Sequence, residues 1–409
     1  MKRTLLAQQR NARSGMILFA VMAILSGLAI ISSTMFVITK ADVKIVGNFR
    51  ESVKSFYNAD AGIAYVKAQI EAALAAGTLT LSNATETISV TAPSDYNFDP
   101  VTQITRIGNG PAYSVTVKGR GTNAQTTIVA TFRRRPAMNM GVFGDSVVDM
   151  KANGRTYSYY SNITPTPTPA DSTGEADTGS NEDFITHVGT FLDGDLVLGA
   201  DSSGTQGVWA DPGGGATITG EEGQRVPRVT PDPLGAAAGG ELAATFTTVA
   251  SVNNNASAVP AIPATKTITL NAGETMTLTA GNYSVSKIEL KNSANLVIDA
   301  SAGPVNIYLT GEADFKNGST VNVIGSPANF SLFSNSSQNI LIYNSSTFKG
   351  LIYAPFASVT VNHAGDFYGL VWAKQATIRN SGDVYIDLTL MNSKLSKKIE
   401  LLSWKETRS

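Results

Sequence analysis

The apolar and polar positions divide this chain sharply. Met16 to Thr39 reads MILFAVMAILSGLAIISSTMFVIT, an uncharged stretch. It is long enough to cross a bilayer core as a helix, which takes ~20 apolar residues. The helical pattern outlasts that stretch. Ala41 to Ala76 contains no Pro, and Phe49, Phe56, Ile63 and Ile70 recur seven apart, with Val46, Val53, Val66 and Leu74 nearby. About 60 residues at ~1.5 Å rise predict a rod of roughly 90 Å, apolar all round at first and amphipathic beyond. From Thr85 to Arg135 the period changes to two. ETISVTA (86–92), QITRI (103–107), AYSVTVKG (112–119) and TTIVATFRR (126–134) alternate, with turns at 109–111 and 119–123. A sheet of these strands is the expected partner for the Phe49/Phe56/Ile63/Ile70 face.

The apolar pattern restarts at Met138–Met150. Thr164–Asp183 is rich in Pro and acid and reads as an exposed, extended loop. VGTFLDGDLVLGAD (188–201) and GGATITG (214–220) are strand-like, and 227–263 reads as a long surface connection. The clearest repeat lies at 291–390. Units open at Asn292, Asn317, Asn344, Asn362 and Asn380, then pass through Ser or Gly into an apolar strand. Spacings of 25, 27, 18 and 18 with one turn per unit predict a stacked β-solenoid. Asn tolerates a left-handed backbone, so each Asn is a candidate corner, and equivalent side chains could bond along the axis. The rival reading is a β-sandwich with irregular hairpins. The tail, 391–409, is expected to cap the solenoid or pack against the body, because open coils expose strand edges. The expected organisation is 1–15 leader, 16–80 helix, 81–137 small sheet, 138–390 solenoid and 391–409 cap or tail. The fold class is α+β, mainly β.

Composition narrows the chemistry. Charged residues make up 15% of the chain and the net charge is −1, so no nucleic-acid partner is implied. The run Arg133–Arg135 reads as a solvated strand end. There is no Cys and there are two His, His187 and His363, which removes thiol chemistry and disfavours a His-rich zinc site. The paired carboxylates that a glycan-cleaving β-helix would need have only turn-like candidates: Asp193 with Asp195, Glu221 with Glu222, Asp366, and Asp383 with Asp387. Asp193 and Asp195 are also the candidate calcium contacts. No cofactor and no catalytic residue is assigned, and the chain is expected not to be an enzyme.

The leader MKRTLLAQQRNARSG carries Lys2, Arg3, Arg10 and Arg13 and no acid, which keeps it cytoplasmic and sends the remainder across the membrane. The apolar run exceeds that of a cleaved secretory signal; a plain signal anchor is the other alternative. A basic leader, a Gly and an uncharged helix continuing as a rod resemble type IV prepilins. That resemblance implies cleavage between Gly15 and Met16 by a prepilin peptidase, followed by methylation. Asn48, Phe56-Tyr57, Ala59, Asp60, Ala61, Gly62 and Ile63 resemble the N-terminal pattern of PilX-type minor pilins. Major pilins carry Glu at the fifth mature position, where this chain has Ala20, a departure that points away from the repeating shaft and towards a tip. Gly350, Ile352-Tyr353-Ala354-Pro355, Gly365-Asp366-Phe367-Tyr368-Gly369 and Ala373-Lys374 resemble an uncharacterised bacterial domain found behind such N-termini. The implied partners are the inner membrane, prepilin peptidase and other pilins or pseudopilins, with an unidentified surface or glycan ligand. The implied location is the bacterial inner membrane and then the pilus at the cell surface. The implied role is a minor pilin, with a tip pseudopilin of type II secretion or a membrane-tethered glycan-active enzyme as alternatives.

Overall fold

A computed structural model describes the chain except residues 1, 76–77, 80–84, 108–111, 363–365, 380–381, 394 and 409; the side chains of 1–16, 135, 394–398 and 408 are also outside the description. His363, Gly365, Asn380 and the predicted turn at 109–111 therefore lie outside the described residues. The chain forms a long N-terminal helix followed by a β-rich region dominated by a parallel sheet, and it divides into two compact units, 1–134 with 398–409, and 135–397.

In the first unit one helix runs from Lys2 to Ala75. Its C-terminal part lies on a five-stranded sheet made of Thr85–Val90, Val101–Arg106, Ala112–Arg120, Gln125–Pro136 and Leu395–Arg408, in that order, the first four antiparallel. The core joins Ala59, Ile63, Val66, Ile70 and Leu74 to Ile104, Val115, Val117, Ile128 and Phe132. Close approach is set by glycine. A Cβ at Gly119 would collide with the Ser55 carbonyl and Ala59 backbone of the helix, and one at Gly62 with the Val117 side chain. Ser55 Oγ meets Thr126 Oγ1 at 2.8 Å, and Asn58 Nδ2 donates to the Arg120 carbonyl at 2.7 Å.

One expectation changes here, and the two placements offered for the tail are narrowed. Phe49 is 71% exposed and does not join the sheet-facing stripe, because the sheet reaches the helix only from about Glu51, whose carboxylate accepts the Thr122 N–H. The tail does not cap the solenoid. Leu395–Arg408 is the edge strand of this sheet: Ile399 is buried in its core, Glu400 pairs with Arg133, and Trp404 lies 5.9 Å from Phe56. The whole second unit is thus inserted between two neighbouring strands of the first. The tail's partner strand is too distant in the chain to be read from the sequence.

The second unit is a three-sided parallel β-solenoid. Thr267–Leu270, Thr275–Thr279 and Gly281–Val285 form one coil; Lys287–Leu290, Asn295–Asp299 and Val305–Leu309 stack on it in exact-residue register, and further coils follow. Ile268, Ile288, Ala313, Ile340 and Val359 line one interior side, and Met276, Leu296, Val321 and Phe348 another.

The corners differ from the expectation in two respects. Asn292, Asn317 and Asn344 sit second in four-residue turns closed by Ala294 N–H to Lys291 O (2.9 Å), Ser319 to Lys316 (2.9 Å) and Ser346 to Tyr343 (3.1 Å). The left-handed residue is the next one: Ser293 (φ 61°), Gly318 (69°) and Ser345 (57°). A type II turn needs positive φ at its third position, so the strain falls there. The Asn side chains are exposed, and the corners stack through backbone, Ser293 N–H to Asn317 O (3.1 Å) and Gly318 N–H to Asn344 O (3.0 Å). Asn362 is half-buried and its N–H donates to Ile342 O at 2.7 Å.

Coil order in space is not chain order. Phe367–Ile378 pairs in parallel with Val142–Met150, and Asp383–Asp387 with Arg155–Tyr159. The coils of 142–225 therefore stack beyond the last C-terminal strand, at the far end from Thr267. The connection 227–263 runs back along one side and carries a helix, Glu241–Ser251, that buries Leu242, Phe246 and Val249.

Candidate functional site

The most distinctive surface is the exposed part of the N-terminal helix. Ile17, Leu18, Phe19, Met22, Ile24, Leu25, Ile31, Phe36 and Ile38 are all largely exposed, whereas Ile70 and Leu74 on the same helix are buried. Ser26 returns its hydroxyl to Met22 O at 2.6 Å, Ser33 to Ile30 O at 2.9 Å and Thr34 to Ile30 O at 2.8 Å. No free hydroxyl from these three is presented outward, as a lipid-facing helix requires. Among the described residues this is the one helix long and apolar enough to cross a membrane. The helix runs unbroken through Gly15 and Met16, and Ala20 lies on its exposed surface. Of the predicted helix residues, Ile63 and Ile70 are buried, Phe56 is half-buried and Phe49 faces outward.

The solenoid has three unlike sides. One bears ion pairs between coils, Lys287 with Glu312 (2.7 Å) and Lys316 with Glu289 (2.8 Å), and one within a coil, Lys316 with Asp314 (3.7 Å). A second bears rows in register, Thr275–Asn295–Thr320–Thr347 and Thr277–Val297–Asn322. The third carries an aromatic ladder, Tyr308–Phe333–Tyr353–Trp372–Phe143, on successive coils. It is covered by the return connection. Tyr353 OH donates to Asp232 (2.5 Å) and accepts from Leu234 N–H (3.0 Å), Trp372 Nε1 donates to Pro231 O (2.8 Å), and Phe246 packs on Tyr308 at 5.2 Å. Sequence reasoning missed this ladder. Aromatic residues recurring at the repeat spacing from Tyr308 to Trp372 carry its signal, but nothing local marks Phe143 as the next rung.

The carboxylate candidates disperse. Asp193 accepts from Thr219 Oγ1 (2.9 Å), and Asp195 from Glu221 N–H (2.8 Å). Among the described residues no group of three or more His, Asp or Glu side chains able to hold a metal occurs. Asp366 accepts from Tyr368 OH (3.2 Å), and Tyr368, pushed up to about 12 chiefly by burial, stacks on Tyr385 (4.9 Å), which stacks on Tyr157 (5.4 Å). Asp383 gains a basic neighbour the sequence did not reveal, Arg155 on the adjacent strand; burial nonetheless holds Asp383 above the ordinary carboxylate range. Asp387 is fully buried beside Tyr159. Its Oδ1 accepts from Ser161 N–H (3.2 Å) and Thr389 N–H (2.9 Å), its Oδ2 has no hydrogen-bond partner, and burial raises its pKa. His187 contacts Asp149 at 3.2 Å, which pairs with Lys151 at 2.6 Å. Shallow grooves of about 450 Å3 and about 340 Å3 lie beside Thr267–Met276, with Glu274 on the lining, and beside Glu312–Leu341, with Glu312 and Asp314 on the lining; none of these acids is among the sequence candidates.

Residues 264–393 match a family described as a domain of unknown function (DUF7305). No curated protein matches the chain. Among solved structures it is similar to the competence-associated pilin ComZ from Thermus thermophilus, at 12% identity over 88% of this chain and 98% of that one, with a TM-score of 0.30. It is also similar to an ice-binding protein from the Antarctic ascomycete Antarctomyces psychrotrophicus (10% identity, 61% and 96% covered, TM-score 0.35) and to an ice-binding protein domain from Shewanella frigidimarina (13%, 62% and 95%, 0.31).

Proposed function

We propose that this chain is a PilX-type minor pilin, held by its N-terminal helix in the inner membrane and then in a type IV pilus or related filament. There it displays the solenoid for assembly priming or surface contact. One observation carries the reading: a single helix is apolar and exposed at Ile17–Ile38 yet buried against a sheet at Ala59–Leu74. An exposed apolar helix fits lipid first and neighbouring subunits' helices afterwards. Ala20 in place of an acid favours a tip position, in a pilus or in the filament of a type II secretion system. The solenoid's role is display, not catalysis; incubation with polysaccharides should release no product.

The test is mass spectrometry of the mature N-terminus in cells with and without prepilin peptidase. A chain beginning at methylated Met16 is expected only with the peptidase. Gly15→Leu should leave the uncut chain in the membrane. An intact Met1 in both strains overturns the proposal.

A further inference from the structure

One coil of the solenoid is built from both ends of the unit. The end of Phe367–Ile378 and the strand Asp383–Asp387 supply two of its sides. The chain then turns helical at Leu388–Ser393, so it does not supply the third. That side is Val142–Gly144, beside Val371–Ala373, and Val147–Met150 continues the seam beside Gln375–Ile378. The joint is closed on all its layers. Val371 N–H donates to Gly141 O (2.8 Å), Lys151 N–H to Ile378 O (2.8 Å) and Arg155 N–H to Gly382 O (3.1 Å), while Phe143 stacks on Trp372 at 4.2 Å.

We propose that this seam is a folding clasp: the first-made coils close only when the last-made strands arrive, so only a complete chain displays a finished solenoid. The early coils have little to hold them alone. Besides Arg155–Tyr159 and Asp183–Thr186, of five and four residues, their strands Thr178–Ser180, Phe191–Leu192, Leu196–Leu198, Val208–Ala210, Thr217–Ile218 and Gln224–Arg225 are two or three residues long. Each closes few bonds against the entropy of ordering its loops. Their longest strand, Val142–Met150, pairs through the same residues on both sides, with Thr178–Ser180 and Asp183–Thr186 on one and with Phe367–Ile378 on the other, so half of its ladder comes from the end of the unit. From Thr267 onwards most strands are longer, at four or five residues. Each pairs with the strand one repeat further along, as the short early strands also do, but over more residues, so these coils gain more from near contacts. The dependence rests on pairing within the solenoid and not on the membrane helix, so the clasp holds whatever the filament role.

The test is pulsed hydrogen exchange read by mass spectrometry on the full-length chain refolding in detergent micelles. Amides of 268–342 should be protected first, and those of 142–150 and 178–198 no earlier than 371–378. Protection of 142–198 ahead of 367–387 overturns the proposal. Two substitutions test its direction at equilibrium. A Cβ at Gly369 collides with the Gly350 backbone, and one at Gly179 with Val197 O. Gly369→Val should abolish protection over 142–198 as well as locally. Gly179→Val should abolish it over 178–198 and leave 268–342 at the wild-type level. Wild-type protection of 142–198 in Gly369→Val overturns the clasp, and the wild-type kinetics decide the matter even if that variant does not fold.

Discussion

Asp387 shows how far a single residue's meaning depends on its neighbours. In sequence it is one of two acids four apart on a strand. In the fold it is buried at the seam, with one oxygen bonded to Ser161 and Thr389 N–H groups and the other unpartnered beside Tyr159. Burial favours its neutral form. The native state therefore keeps a proton that the unfolded chain loses, and stability falls as pH rises from the ordinary Asp value through the raised one. Asp387→Asn imitates the neutral acid. It should stabilise the second unit by roughly 1–3 kcal/mol at pH 7 and have little effect near pH 3, a difference that denaturant melts at the two pH values would detect. Equal effects at both would refute the assignment. The corners teach a related lesson at residue scale. Asn292, Asn317 and Asn344 mark the turns in sequence, yet the left-handed backbone falls on Ser293, Gly318 and Ser345 because turn geometry demands it one position later.

Among the elements, the N-terminal helix serves two environments, and its residues sort by which one they meet. Ile70 is 1% exposed in the core of the first unit, whereas Phe49 is 71% exposed. Ile70→Ala should destabilise that unit by about 2–4 kcal/mol, measured by denaturant unfolding. Phe49→Ala should change its stability by less than about 0.5 kcal/mol while reducing recovery of the protein in sheared filaments. If Phe49→Ala unfolds the unit instead, the outward face has been misassigned. The heptad spacing revealed the helix but not this division, because periodicity reports a face and cannot report where the covering sheet ends. The C-terminal strand was hidden for a similar reason. From sequence the tail is legible only as a cap or as packing against the body, because the strand that it joins, Gln125–Pro136, lies far away in the chain.

The molecule as a whole is ordered differently from its sequence. The solenoid's early coils rest on its last strands, and the return connection at 227–263 crosses the aromatic ladder between them. A protease site introduced at the exposed Ala238–Gly239 junction makes this testable. After cleavage the two pieces should co-elute under native conditions and separate only in denaturant, because the Val142–Met150 and Arg155–Tyr159 ladders remain paired. Separation without denaturant would contradict the seam.

The sequence by itself determined the membrane-length helix, its amphipathic continuation, the alternating strands and the repeat of the solenoid. All of these are written in local periodicity, where each residue's neighbours lie within a few turns or one coil. Only the tertiary structure decided that the coils begin in mid-stack, that the tail closes the helix-bound sheet, that Phe49 stays exposed, and that Asp387 and Phe143 meet their partners across the seam. Those outcomes depend on pairings between segments far apart in the chain. Many such pairings are compatible with the same local pattern, and packing of the assembled core selects among them.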